Sequence, residues 1–117
     1  MNPTQPVQQN PIPRKLALTF HHDTYDFTQE WRNDQYALYA KTKKVLAGKK
    51  IYEFWKIKIG KPIIIDGIEK TPLRELRPRE EDFGKYAWSC AHLQDAARRV
   101  KEVGGSWDCN GMNKLIC

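Results

Sequence analysis

Ile51-Tyr52-Glu53-Phe54-Trp55-Lys56-Ile57-Lys58-Ile59 is the stretch on which the fold turns. β-Branched and aromatic residues dominate it and no proline interrupts it, as in a strand seated on a packed, pleated surface. Alternation divides the segment into two sides. Ile51, Glu53, Trp55, Ile57 and Ile59 form the side expected to face the core; Tyr52, Phe54, Lys56 and Lys58 form a side expected to be exposed, aromatic and cationic. Gly60 to Pro62 ends the strand.

Toward the N-terminus, Tyr25, Phe27, Gln29 and Trp31 fall on one parity and Asp26, Thr28, Glu30 and Arg32 on the other, the period of a half-buried strand. Asn33-Asp34 tolerates left-handed turn conformations, so a hairpin into a second strand over 35–42 follows. Leu16, Leu18 and Phe20 alternate and suit a short first strand. Residues 1–15, with prolines at 3, 6, 11 and 13, read as a disordered leader.

Toward the C-terminus, Ile63 to Ile65 with Asp66-Gly67 reads as a short edge strand and turn, and residues 71–82 as a charged surface loop. Tyr86 to Cys90 suits a last strand, after which the period changes. Leu93, Ala96, Ala97, Val100 and Val103 lie on one helical stripe. Ser89 is placed to cap that helix, Gly104-Gly105 to stop it, and Arg99 and Lys101 to meet the negative end of its dipole. The sum is an α+β fold: an antiparallel sheet of about four strands packed against one C-terminal helix. One domain over 16–105 is expected, followed by a flexible tail over 106–117.

The stretch from Tyr52 to Ile59, followed by Glu81-Asp82-Phe83-Gly84-Lys85-Tyr86-Ala87-Trp88 and a short Leu/Ala helix, resembles small uncharacterised proteins of bacteriophages and mobile elements. The likeness covers Tyr36 to Val103. It implies a fold and an origin and transfers no catalytic residue.

Charge is the main functional signal. The chain carries +6 overall, yet Lys41, Lys43, Lys44, Lys49, Lys50, Lys56, Lys58 and Lys61 face only Glu53 between positions 41 and 61. Lysines neutralise phosphates, and Tyr52 and Phe54 on the same side offer rings on which bases stack, the two ingredients of a single-strand binding surface. Lys41, Lys43, Lys44, Lys49, Lys50, Tyr52, Phe54, Lys56 and Lys58 are therefore the candidate contacts to nucleic acid or to a protein partner. The competing reading is that lysines guard an edge strand and keep a small domain soluble.

Enzymatic signals are thin, and a non-enzymatic protein without cofactor is expected. His21-His22-Asp23 has the ligand types of a metal or acid–base site, but adjacent histidines in a strand point to opposite faces. Cys90 near a helix start, with His92 beyond it, suggests an activated thiol, although a small buried side chain at a strand-to-helix corner is the plainer role. Cys90, Cys109 and Cys117 lack the spacing of a zinc site. Trp31, Trp55 and Trp88 read as core, while Trp107 either anchors a partner or folds back on the sheet. With no signal-like N-terminus and no apolar run of membrane-spanning length, a cytoplasmic location is expected.

Overall fold

The computed structural model describes residues 12–47 and 49–107. Its strands are β1 (Thr19–His22), β2 (Tyr25–Arg32), β3 (Tyr36–Thr42), β4 (Ile51–Lys56), β5 (Lys58–Gly60), β6 (Ile63–Ile65), β7 (Ile68–Thr71), β8 (Arg74–Leu76) and β9 (Ala87–Cys90), followed by helix α1 (Leu93–Glu102). The fold is α+β. Five strands form an antiparallel sheet in the order β1-β2-β3-β4-β9, and α1 packs on β4 and β9. Two small ribbons, β5 with β8 and β6 with β7, account for the other strands.

The chain divides into two compact units: the described residues up to Leu16 with Ile59–Leu76, and Ala17–Lys58 with the described residues from Arg77 onward. The span expected as one domain therefore contains both. In the smaller unit Arg14, within the expected leader, is tied down, because its N–H donates to the Leu73 carbonyl at 2.9 Å and its carbonyl accepts the Glu75 N–H at 2.8 Å; beside it the Leu16 N–H donates to Glu75 Oε1 at 2.9 Å. Part of the expected 71–82 loop is likewise strand β8.

Both sides of the five-stranded sheet are packed. Leu38, Ala40, Tyr52, Phe54 and Cys90 meet Ala96 and Val100 of α1, with Trp31, Trp88, Leu93 and Val103 at the margin. On the opposite side Tyr39 stacks on Trp55 with ring centroids 4.3 Å apart, and Phe27 and Phe20 continue the aromatic layer. Trp55, Tyr39, Phe54, Leu38 and Val100 are the largest side chains withdrawn from water, each contributing about 2 kcal/mol or more of transfer free energy.

A bulge in β2 corrects the expected parity of Trp31. Gln29 pairs with Tyr39 but Trp31 with Leu38, so Glu30 is an extra residue against a single step of β3. Trp31 thereby crosses to the helix side and stacks near Phe54, while Phe27 stays opposite against Trp55.

The turns also differ from expectation. Neither Asn33 nor Asp34 has positive φ; instead Asn33 Oδ1 accepts hydrogen bonds from the N–H groups of Gln35 and Tyr36. Left-handed backbone occurs at Asp23 and Thr24, the two-residue turn between β1 and β2.

His92, not Ser89, precedes α1, and Ser89 lies within β9. Gly104 takes the expected left-handed stop with φ of 83°, and the Gly105 N–H closes on the Val100 carbonyl at 2.9 Å. Trp107 packs edge-on against Tyr52, folded back onto the core. The rest of the expected tail lies outside the described residues. Among the described residues no helix is long and apolar enough to cross a membrane.

Candidate nucleic-acid interface

The expected aromatic and cationic face does not form. Tyr52 and Phe54 are buried, at 5% and 2% exposure, because their parity in β4 is the one covered by α1. The alternate parity, with Glu53 and Trp55, is buried as well. Ile59, expected in the core, is instead exposed in β5. Burial pushes the Tyr52 hydroxyl above its usual range, with the Glu30 carboxylate adding to the shift.

Strand register then separates the lysines. Lys56 lies opposite Tyr36 at one end of β4 and is exposed, while Lys41 lies opposite Ile51 at the other end. Lys58, beyond β4, donates to Asp82 Oδ1 at 2.8 Å, and its ammonium stands 4.1 Å from the Tyr86 ring centroid. Asp82 is buried, and its other oxygen accepts the Arg79 N–H at 2.8 Å. These two hydrogen bonds, Lys58's the stronger in effect, hold its carboxyl below the usual range.

Lys41 is also committed. Its ammonium lies 2.7 Å from Glu53 Oε2, and Glu53 Oε1 accepts the Trp55 indole N–H at 2.9 Å. A carboxylate buried at the centre of a sheet needs such partners to offset its lost hydration. Lys41 and Lys43 both stand 4.6 Å from the centroid of the Tyr25 ring, a pair of cation–π contacts that fixes the beginning of the connection between β3 and β4.

What remains is a lysine-rich end. Lys43, Lys44, Lys49 and Lys50 lie in the connection between Thr42 and Ile51, which includes a short 3-10 turn at Lys44–Leu46. Lys44, Lys49 and Lys50 are exposed. Lys50 lies 3.7 Å from Glu30 Oε2; among the described residues no carboxylate pairs with Lys43, Lys44 or Lys49. The registers Asp26 to Thr42, His22 to Tyr25 and Tyr52 to Cys90 bring the turn at Asp23-Thr24 and the β9–α1 junction to this same end. His21, His22 and His92 thus border the lysines, a grouping that sequence distance conceals.

His21 and His22 point to opposite sides of β1, as strand geometry requires. His21 Nδ1 lies 2.8 Å from Asp26 Oδ1 in an exposed pair. Among the described residues no group of three or more His, Cys, Asp and Glu side chains is placed to hold a metal. Cys90 is buried against α1, and desolvation pushes its thiol up, outweighing the nearby Arg99 guanidinium.

No family model, curated protein or solved structure matches the chain.

Proposed function

We propose that this is a non-enzymatic, cytoplasmic binding protein that grips the phosphate backbone of a nucleic acid at the lysine-rich end of its larger sheet. The supporting observation is the clustering of Lys43, Lys44, Lys49 and Lys50 in one connection, with Lys44, Lys49 and Lys50 exposed. With Tyr52 and Phe54 beneath α1, base stacking on the sheet is withheld. Contact is therefore electrostatic and indifferent to sequence. A role as an accessory factor of a phage or mobile element belongs to the same proposal and rests on the resemblance over residues 36–103.

Titration of labelled single- and double-stranded oligonucleotides at several salt concentrations tests the reading. Four neutralised phosphates give a log–log salt slope of about −3 to −4 on duplex, with Kd in the range of about 10⁻⁴ to 10⁻⁶ M near physiological salt. A Lys44→Glu/Lys49→Glu/Lys50→Glu variant should lose this binding while keeping its fold. Unaltered binding by the variant, or none by the wild type, defeats the reading.

Burial of both stacking rings favours one alternative, in which an acidic protein surface occupies the same lysines and modulates a host factor. Retention on polyglutamate that oligonucleotides fail to displace would support that alternative.

A further inference from the structure

The β6–β7 hairpin carries a feature unrelated to the lysine cluster. Every residue from 61 to 70 is exposed, although the strands are mainly isoleucine. Ile63, Ile64, Ile65 and Ile68 are 45%, 62%, 52% and 57% exposed. Positive φ at Asp66 (54°) and Gly67 (75°) makes a two-residue turn of the type that suits the twist of a hairpin. Register puts Ile63, Ile65 and Ile68 on one face, with Ile64 opposite Glu69 on the other.

The two outer edges of this ribbon are unequal. Between Ile63 and Ile64 the pairing slips, leaving Lys70 as an extra residue in β7; that bulge and the charges of Glu69 and Lys70 are the usual defences of an edge. No such defence lies in β6 between Pro62 and Asp66. Ile65 faces Ile68 across the turn, so by alternation the backbone N–H and C=O of Ile64 point away from β7. Among the described residues no strand pairs with that edge.

We infer that β6 is a self-association edge that pairs antiparallel with β6 of a second copy of this chain, about a twofold axis at Ile64. The edge is complementary to itself. Ile64 meets Ile64 with two reciprocal backbone hydrogen bonds, Ile63 meets Ile65, and Pro62 comes opposite Asp66 of the copy. The segment is also electrically neutral, since Lys61 and Lys70 balance Asp66 and Glu69, within a chain of +6. An acidic partner is thus drawn to the lysines elsewhere and not here, and the anionic turn at Asp66 disfavours a lipid surface. The ten residues from 61 to 70 are fewer than the roughly 20–30 a side of a standard interface, so the association is weak, with Kd on the order of 10–100 µM. The remaining positive charge repels between copies, and association strengthens as salt screens it.

Sedimentation equilibrium of the full chain from micromolar to millimolar concentration tests this. The expected result is a mass rising toward twice the monomer's, more so in high salt, and an increase in Kd of at least about tenfold for Ile64→Lys, which sets like charges face to face. A second variant locates the axis: Ile64→Cys, with Cys109 and Cys117 changed to Ser, should oxidise to a disulfide-linked dimer, since directly opposed residues about 5.5 Å apart at Cα lie within bonding range. Monomer at every concentration overturns the inference. So does a dimer unaffected by Ile64→Lys, or the absence of cross-linking in an Ile64→Cys variant that still dimerises.

Discussion

At the scale of single residues, buried charge sets the most testable expectations. Lys41→Met leaves the Glu53 carboxylate buried with the Trp55 indole as its one remaining partner among the described residues, and should cost about 3 kcal/mol in urea unfolding. Adding Glu53→Gln should recover part of that loss, because no uncompensated charge then remains. Asp82 sets the response to acid. Its folded-state pKa is depressed, so its contribution is complete above the unfolded carboxyl value and disappears as pH falls through the folded one. An acid titration followed by tryptophan fluorescence should show stability declining over that interval, and Asp82→Asn should flatten the decline. None of these pairings was legible in the sequence. Glu53 stood out as a lone acid among lysines, but which lysine answered it depended on register, and Lys58 found Asp82 from 24 positions away.

At the scale of elements, the bulge in β2 is decisive. Deleting Glu30 would remove the bulge and leave Trp31 opposite Leu38 by simple alternation, so its contact with Phe54 should persist and the near-ultraviolet circular dichroism should change little. Trp31→Ala removes that aromatic contact instead, with an expected cost of about 3 kcal/mol seen as a lower melting temperature. Existence and type of the main elements were legible: the β4 composition, the 3.6-residue stripe from Leu93 to Val103 and the Gly104 stop correspond to what forms. Orientation was less so. A strand in which both parities are apolar or aromatic carries no internal signal for which side the helix covers, and Lys56 and Lys58, on the parity of Tyr52 and Phe54, point to solvent for a side that α1 in fact covers. The bulge was hidden too, since one extra residue leaves no mark in composition.

At the scale of the whole molecule, the two proposed contacts differ in sign toward salt. Binding of oligonucleotides through Lys43, Lys44, Lys49 and Lys50 weakens as ionic strength rises, whereas pairing through β6 strengthens. Parallel titrations with the lysine variant and with Ile64→Lys should therefore separate: the first loses oligonucleotide binding while self-association persists or tightens as positive charge is removed, and the second weakens self-association while oligonucleotide binding persists. Legibility at this scale was partial. The excess of lysine between 41 and 61 was plain, but its division between opposite ends of β4 became visible only with the strand pairings in hand.

The double burial of the five-stranded sheet has a consequence for variation. Substitutions along either broad surface, at Leu38 and Phe54 or at Tyr39 and Trp55, compromise folding. Tolerated variation is thus confined to the perimeter, where the exposed positions of the 43–50 connection can change without disturbing the interior that carries it.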